Sequence, residues 1–519
     1  LLYRYHILYY IIINAIMLFL RNNMMIIVIL PTILLITNMM TAVATAFEVT
    51  SSGSLTAPGV TENTIVMTRG GDNGALFHST YQFNSTHQQQ QQCTFDGRTI
   101  VLSVPLGLKP ADMFYELNLV YQRSYELMVD HINLHNCGVE IQGKQHPLLL
   151  QLMSADSSPE KTAAAANYLA PQSDFLFSPY SSGLAYHVSV ASDNSNTTVM
   201  IANGAVRPDV FTDKPASFGI LPTGYAYLQQ LLPLLASKGA SSIYTILDGT
   251  PGNFVKGLCA YVPDFARDFN ITVLGTSSIQ DTGNPEMDFD ATARNLSALN
   301  PDIVVNCIDH FCDKWMYSLR RVNWSPKALV ITVCPGSSSF EEQVGTDREF
   351  VLGVNPWVPT LQATDAVVNW TASEFAAIFE DFSSGVGATY HAAAAAAQVS
   401  LAVQALQRSQ SLLTADLAKV LSEADVTNPF YTLYGDIFFT EIGQADLKVL
   451  GTQYDPDGNL QVVAPLDKAD RTLVYPMPTW ANRDCVKLSP CGGHSSSDST
   501  KKNNVTDSSS NSSSSSQNI

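Results

Sequence analysis

The chain has 519 residues and a formal net charge of -18, with 46% hydrophobic and 14% charged residues. This length exceeds what one hydrophobic core usually serves, so we expect one large two-lobed unit with flanking segments. The acidic charge excludes nucleic acid and anionic membrane surfaces as partners, because both require clustered Lys and Arg.

Two apolar runs lie at the amino terminus, at residues 5–20 and 25–36. The second is typical of a secretory signal peptide, because Arg21 lies just before it and Ala44-Thr45-Ala46 follows as a small-residue cleavage site. We predict that residues 1–46 are a signal peptide with an upstream apolar segment, and that the protein is secreted or at the cell surface. An uncleaved membrane anchor is the alternative.

Residues 47–96 are rich in Ser, Thr, Gly and Asn and include a run of glutamines, which predicts a low-complexity leader. The apolar run at 99–104 predicts the first strand. The helix after it carries one apolar stripe at spacings of four and three, which is typical of a helix packed on a sheet. We interpret this stripe as core: Leu117, Tyr121, Tyr125, Met128 and Ile132.

Further strands are predicted at 148–153, 174–177 and 198–202, and helical segments separate them. Short apolar strands alternating with helices predict a parallel sheet, and such sheets place their ligand loops at the strand carboxyl ends. The second and third of these strands end in small polar loops, at residues 178–183 and 203–208. These loops suit backbone and hydroxyl contacts to a small molecule.

A second series of alternating strands and helices predicts another doubly wound lobe. Its strands are predicted at 242–247, 271–274, 303–305 and 328–332. The alanine-rich helix at 390–406 is apolar nearly all round, so we expect it to be buried and to return the chain to the first lobe. The tail at 494–519 is mostly Ser, Asn and Thr and is predicted to be disordered.

Several motifs occur in an order that resembles one known family. They run from the helix end at His131 through Ser178-Pro-Tyr-Ser-Ser and Gly204-Ala-x-x-Pro to Tyr390-His-Ala-Ala. This order resembles the type I periplasmic-binding-protein family, which includes bacterial leucine/isoleucine/valine-binding proteins and the ligand-binding regions of eukaryotic receptors.

The resemblance implies an α/β fold with two doubly wound parallel-sheet lobes joined by three crossovers, a Venus-flytrap arrangement. The bilobed domain would span 97–475, with a cysteine loop and disordered tail at 476–519. Lobe 1 would comprise about 97–220 and 356–440, and lobe 2 about 221–355 and 441–475.

In the first lobe, the resemblance implies that two turns meet a ligand carboxylate. Tyr180, Ser181 and Ser182 match the first turn, which opens a helix whose unpaired N–H groups favour an anion. The alternative is that a serine here only caps the helix. The second turn is matched by Gly204, Ala205 and Val206, where Val206 replaces the family's threonine and removes a hydroxyl contact.

In the second lobe, the resemblance implies an aromatic residue and a carboxylate that hold an ammonium. Phe311 lies near the family's tyrosine, and Asp309 and His310 share its loop; Asp309 is also a common turn former. Tyr225 and Tyr227 are further candidates, with core or hinge packing as the default. The family's glutamate is replaced by the sequence Pro335-Gly-Ser-Ser.

Eight cysteines and eight Asn-x-Ser/Thr sequons fit a secreted glycoprotein. We predict a Cys93–Cys137 disulfide, because a helix returns the chain to the start of its strand, and a Cys485–Cys491 pair. Three pairings stay open for Cys259, Cys307, Cys312 and Cys334, with Cys307–Cys334 favoured and zinc at Cys307, Cys312 and His310 as the alternative. The candidate glycosylation sites are Asn84, Asn196, Asn270, Asn295, Asn323 and Asn369, with Asn504 and Asn511 in the tail.

The sequence contains no Gly-x-Ser-x-Gly elbow, no His-Glu-x-x-His and no nucleotide-binding glycine loop. We therefore expect a binding protein without catalytic residues, metal or cofactor, whose partner is a small polar solute, with an amino acid or short amide favoured. Closure of the two lobes would trap the solute. The alternative is the ectodomain of a membrane receptor, with an enzyme as a remote third; a dimer through lobe 1 stays open.

Overall fold

A computed structural model describes residues 93–248, 254–279, 285–308 and 311–483, together with strands β1 (Thr64–Thr68) and β2 (Leu76–Thr80). Strand β1 belongs to a separate compact unit, and all elements from β3 onward lie in the other unit. The predicted signal peptide, most of the leader, and the Cys485–Cys491 pair lie outside the described residues.

Lobe 1 is built on a sheet of parallel strands in the order β6-β3-β7-β8-β9. Helices α1, α2 and α3 connect its strands, and a small hairpin, β4-β5, follows α1. In chain order the elements are β3 (Ile100–Leu106), α1 (Tyr115–His135), β4 (Val139–Ile141), β5 (Lys144–His146), β6 (Leu148–Ser154), α2 (Pro159–Leu169), β7 (Phe175–Phe177), α3 (Ser182–Ser195), β8 (Val199–Ala202) and β9 (Ser217–Gly219).

Lobe 2 is built on a second sheet, in which five parallel strands have the order β11-β10-β12-β13-β14. In chain order its elements are α4 (Gly224–Leu228), α5 (Leu231–Ser237), β10 (Ser242–Asp248), α6 (Phe254–Cys259), α7 (Val262–Asp268), β11 (Thr272–Ile279), α8 (Pro285–Leu299), β12 (Ile303–Cys307), α9 (Cys312–Val322), β13 (Ala328–Ile331), α10 (Ser338–Val344) and β14 (Leu352–Asn355).

The chain then returns to lobe 1 and crosses back once more. The returning elements are α11 (Ala372–Phe382), α12 (Tyr390–Ser409), α13 (Thr414–Ser422), β15 (Phe430–Thr432) and β16 (Gly435–Ile437). Two strands complete the lobe 2 sheet: β17 (Leu450–Tyr454) pairs antiparallel with β14, and β18 (Leu460–Ala464) pairs antiparallel with β17. The two sheets and three crossovers confirm the predicted α/β two-lobed fold.

Helix α12 is buried along nearly its whole length, as its composition predicts. It is fixed to lobe 1 by polar contacts as well as by alanine packing. The Ser124 hydroxyl donates to the Ala392 carbonyl at 2.7 Å, and the Tyr125 hydroxyl donates to Gln398 Oε1 at 2.5 Å. These bonds fix the start of α12, where His391 lies.

Packed residues continue past residue 475, where the sequence pattern fades. Met477 and Trp480 lie in the hydrophobic core of lobe 2, and the Trp480 indole N–H donates to the Trp324 carbonyl at 3.0 Å. The Arg483 guanidinium covers the same indole ring at 3.7 Å from its centroid. A short segment with two large apolar side chains therefore completes the lobe, although its sequence shows no hydrophobic periodicity.

Three disulfides lie within the described residues. Cys93 pairs with Cys137, as predicted, with Cα atoms 5.1 Å apart. The prediction of Cys307–Cys334 is wrong, because Cys307 pairs with Cys259 and Cys334 pairs with Cys312.

The strand register explains the correction. Strands β12 and β13 align Asn306 with Ile331, so Cys307 lies level with Thr332 and Cys334 lies beyond the strand end, where α9 begins at Cys312. Since both sulfurs are in disulfides, neither Cys307 nor Cys312 offers the thiolate that the zinc alternative requires.

Five sequon asparagines fall within the described residues, and all five are exposed: Asn196, Asn270, Asn295, Asn323 and Asn369. Four of them have a positive φ of 54–57°, the left-handed conformation that asparagine adopts more readily than most residues. Glycosylation itself stays a prediction. Within the described ranges, no helix is both long and apolar enough to cross a bilayer.

Candidate ligand-binding site between the lobes

The first predicted turn connects β7 to α3 and opens toward lobe 2. Ser181 caps α3, since its hydroxyl accepts from the Leu184 N–H at 3.3 Å, and its φ is 91°. A positive φ on a residue other than glycine is uncommon and is found most often at turns and functional sites. Ser181 thus caps α3, and its contact with a ligand stays a prediction.

Ser182 has a different role from its neighbour. It is buried, and its hydroxyl accepts from the Val206 backbone N–H at 3.1 Å. The two turns that the sequence predicts as ligand contacts are thus joined to each other. The Ser182 hydroxyl keeps its own hydrogen available for donation.

Gly204 lets the same two turns approach closely. A Cβ atom at this position would lie 2.9 Å from Tyr180 Cδ2 and 3.1 Å from Tyr180 Cα. The side chains of Ala205 and Val206 are buried, and Ala205 packs in the core of lobe 1. The second turn therefore supports the position of Tyr180.

Tyr180 lies at the centre of an aromatic cluster that includes both lobes. Its ring centroid is 5.2 Å from Phe114 and 5.4 Å from His391 in lobe 1, and 6.2 Å from Phe254 in lobe 2. Tyr227, also in lobe 2, lies 6.0 Å from Phe254 in an edge-on arrangement. We name this set the aromatic cluster: Phe114, Tyr121, Tyr180, Tyr227, Phe254 and His391.

Polar atoms are buried beside these rings. Within the described part of the chain, no hydrogen-bond partner is found for the hydroxyls of Tyr121, Tyr227 and Tyr434 or for His391 Nε2. We name these four side chains the buried polar cluster. They come from α1, α4, the β15–β16 turn and α12, and hence from both lobes.

Burial determines the ionisation of the buried polar cluster. It raises the pKa of Tyr121, Tyr227 and Tyr434 well above the ordinary value, and neighbouring tyrosine hydroxyls raise these pKa values further. Burial also lowers the pKa of His391 to about 3. All four groups are therefore neutral at physiological pH, and each can take part in hydrogen bonds without carrying a charge.

The structure does not bring every predicted residue to this site. Tyr225 is 38% exposed and stacks on Phe265 at 4.6 Å, whereas Tyr227 is 2% exposed and faces the cluster. Side chains two positions apart on a helix point about 200° apart, which explains why Tyr225 is exposed while Tyr227 is buried. Phe311 is 43% exposed and precedes α9 with a φ of 66°. Asp309 and His310 lie outside the described residues.

Sequence reasoning missed most of the buried polar cluster. The apolar stripe indicates a core position for Tyr121, and His391 stands out only as part of a family motif. Tyr434 and the cluster residues Phe114 and Phe254 carried no periodic signal. A stripe residue with a polar tip, such as Tyr121, could have raised the question of where its hydroxyl finds a partner.

Comparisons with known proteins agree with this architecture. The family model described as "Periplasmic binding protein" matches residues 124–459. An ABC transporter substrate-binding protein from Desulfitobacterium hafniense in complex with Leu is 20% identical, covers 70% of this chain and 100% of its own, and has a TM-score of 0.56. The leucine-binding protein LivK from Thermotoga maritima is 14% identical, with 71% and 100% coverage and a TM-score of 0.57.

A third similar structure has a different kind of ligand. The solute-binding protein of an ABC transporter from Rhodopseudomonas palustris, in complex with 4-hydroxybenzoate, is 12% identical, with 74% and 99% coverage and a TM-score of 0.57. At these identities the structures show a shared fold. Because the family model covers more than half of the sequence, the chain belongs to the type I periplasmic binding protein family.

Proposed function

We propose that this protein binds a small polar solute between its two lobes and that binding favours the closed arrangement. The observation that carries the proposal is the aromatic cluster, in which Tyr180 of lobe 1 lies 6.2 Å from Phe254 of lobe 2 beside buried polar atoms. A solute that touches both lobes favours closure by its differential affinity for the closed state.

The proposed contacts from lobe 1 are the Ser182 hydroxyl and the aromatic face of Tyr180. Ser182 lies at the start of α3, where the helix dipole adds a partial positive charge. From lobe 2 we propose Phe311 and Asp309, which follow β12 in the sequence. An amino acid or a short amide is the favoured ligand class. The known ligands of the similar structures, Leu and 4-hydroxybenzoate, support a small organic solute.

A thermal-shift screen of the secreted, oxidised full chain tests this function. Amino acids, short amides, urea and simple sugars would be added one at a time, because a ligand at 100 times its Kd stabilises the folded state by about 2.7 kcal/mol. We expect at least one class to raise the unfolding midpoint, and small-angle scattering to show a smaller radius of gyration with that ligand. No shift with any class would contradict the proposal.

Ser182→Ala is the variant that tests the placement of the site, with Ser158→Ala as a matched control. Ser158 caps α2, where its hydroxyl accepts from the Lys161 N–H at 3.2 Å, and α2 is not part of the site. We expect Ser182→Ala to raise the Kd and Ser158→Ala to leave it unchanged. Equal affinity of both variants and the parent chain would place the site elsewhere.

One observation favours a second candidate function, the ectodomain of a membrane receptor. The Cys93–Cys137 disulfide is present in the structure, and it resembles a bridge in the receptor branch of the family. Sequencing the transcript beyond residue 519 tests this candidate. An apolar span of about twenty residues there would support a receptor, and a stop codon without such a span would support a free binding protein.

A further inference from the structure

The buried polar cluster lies near two of the crossovers that join the lobes. Tyr227 follows the first crossover, and Tyr434 adjoins Leu433, whose carbonyl accepts from the Trp357 indole N–H at 2.9 Å next to the second crossover. Tyr121 lies 6.1 Å from His391, ring centroid to ring centroid. Four polar side chains from four separate elements therefore converge beside the aromatic cluster.

Leaving these atoms without partners is energetically unfavourable. A buried hydroxyl or imidazole nitrogen without a hydrogen bond destabilises a protein, and native structures leave few such groups. Elsewhere in the described residues a buried tyrosine is satisfied, as Tyr454 is by Gly336 and Glu341. Other buried polar atoms without a partner occur elsewhere in the described residues, but these four lie beside one aromatic cluster and come from both lobes, which points to a ligand that provides the missing partners.

The neutral state of the buried polar cluster indicates which chemical group of a ligand can bind there. Among the described residues, the causes that shift the pKa values of Tyr121, Tyr227, Tyr434 and His391 are burial and neighbouring tyrosine hydroxyls, and no ionised side chain contributes. An ionised carboxylate or ammonium placed there would lose its hydration and gain no countercharge from these groups. A neutral group that both donates and accepts hydrogen bonds matches tyrosine hydroxyls and a neutral imidazole.

We propose that the buried polar cluster is the subsite that recognises an uncharged donor-acceptor group of the solute, such as a carboxamide or a urea, and discriminates against ionised groups of the same shape. This inference rests on the proposed function, because it assigns the chemistry of one end of the same site. The aromatic cluster then packs against the apolar remainder of the solute.

Isosteric probes of different charge test the proposal directly. Benzamide, benzoate and benzamidinium share one shape and carry charges of zero, minus one and plus one; acetamide, acetate and acetamidinium form a smaller set. Thermal shift and calorimetry on the secreted full chain at pH 7 would rank each set. We expect the amide to bind at least tenfold more tightly than either ion of its set.

Tyr→Phe variants test whether the amide binds at the buried polar cluster. Tyr227→Phe and Tyr434→Phe remove one hydroxyl each and keep the ring, and Tyr454→Phe is the matched control because its hydroxyl is satisfied within lobe 2. Each variant's shift is measured relative to its own ligand-free midpoint. We expect the first two variants to weaken amide binding severalfold and the control to match the parent chain.

The outcomes separate this inference from the proposed function. Binding of an ion that equals its amide in affinity and that weakens in the Tyr227→Phe and Tyr434→Phe variants overturns the inference while the solute-binding function stands. Amide binding that is unchanged in both variants has the same consequence. Failure of all six probes, together with the amino acids and sugars of the wider screen, overturns both.

Discussion

Removing the hydroxyl of Tyr227 should stabilise the ligand-free protein, which is the opposite of what truncating a buried polar group usually does. The Tyr227 hydroxyl is buried, and no described residue bonds to it. Its desolvation is therefore uncompensated within the protein, at a cost of about 1–3 kcal/mol. Tyr227→Phe keeps the ring that packs against Phe254 and removes that cost.

Tyr454→Phe supplies the reference. The Tyr454 hydroxyl accepts from the Gly336 N–H at 2.7 Å and donates to Glu341 Oε1 at 2.9 Å. Its removal leaves two polar groups with one bond fewer, so we expect a loss of about 1–3 kcal/mol. The two substitutions delete the same atom from the same residue type, and their predicted effects on the free energy of unfolding have opposite signs.

Guanidinium chloride unfolding of the oxidised protein without ligand measures both changes. We expect the midpoint concentration to rise for Tyr227→Phe and to fall for Tyr454→Phe, with equal slopes that show the same surface exposed on unfolding. If Tyr227→Phe lowers the free energy of unfolding by 1 kcal/mol or more, the hydroxyl already has a partner in the ligand-free protein. The reasoning about the buried polar cluster would then be refuted.

Three further predictions concern other parts of the chain. Gly204→Ala should destabilise the protein by about 1–3 kcal/mol, because the new Cβ would meet Tyr180, whereas Gly387→Ala, with open space around it, should leave the unfolding midpoint within experimental error. Replacing Cys93 and Cys137 together by serine should lower the free energy of unfolding by about 4 kcal/mol, since the bridge spans 44 residues of sequence, and equal midpoints of oxidised parent and variant would contradict this. Burial lowers the pKa of His391 to about 3, below the value of about 6.5 in an unfolded chain, so the unfolded state binds more protons between these values and stability falls as the pH drops below about 6.5. His391→Gln should remove about 2 kcal/mol of the loss between pH 6.5 and 5, and parallel stability profiles of parent and variant would show that His391 does not titrate in this way.

The fold was predictable because its signals are local and repeated. Each predicted strand at 148–153, 198–202 and 303–305 is a short apolar run between helices, and each matches an observed strand to within one residue at its start. Parallel pairing follows from the alternation itself. The last two strands of lobe 2 and the segment around Trp480 were not predicted, because they are single elements outside the repeating pattern.

The candidate site was only partly predictable, since it depends on how distant segments meet. Tyr180, Ser182 and Gly204 are predicted from the sequence because a motif carries them, and the structure joins their two turns. Tyr225 and Tyr227 could not be separated without knowing which face of α4 is buried. Tyr434 lies between β15 and β16, after the chain has returned to lobe 1. No spacing in the sequence predicts that it comes close to Tyr121 and Tyr227.

The Cys307–Cys334 error has the same origin. The sequence placed both cysteines at the ends of neighbouring strands, which is nearly correct. Cys334 lies two residues beyond the position level with Cys307, and each sulfur pairs instead with a helix cysteine: Cys307 with Cys259 of α6, and Cys334 with Cys312 of α9. The path of the loops beyond the strand ends decides which cysteines form disulfides. Loop sequences have no hydrophobic periodicity from which that path could be predicted.

The three bridges join cysteines in the order in which the chain is synthesised: the first with the second, the third with the fourth, and the fifth with the sixth of the cysteines from Cys93 to Cys334. Nascent chain that is oxidised as it emerges meets each correct partner before any later competitor is available. Sequential oxidation therefore gives this set of three without reshuffling, whereas refolding of a fully reduced chain exposes all eight thiols to one another at once.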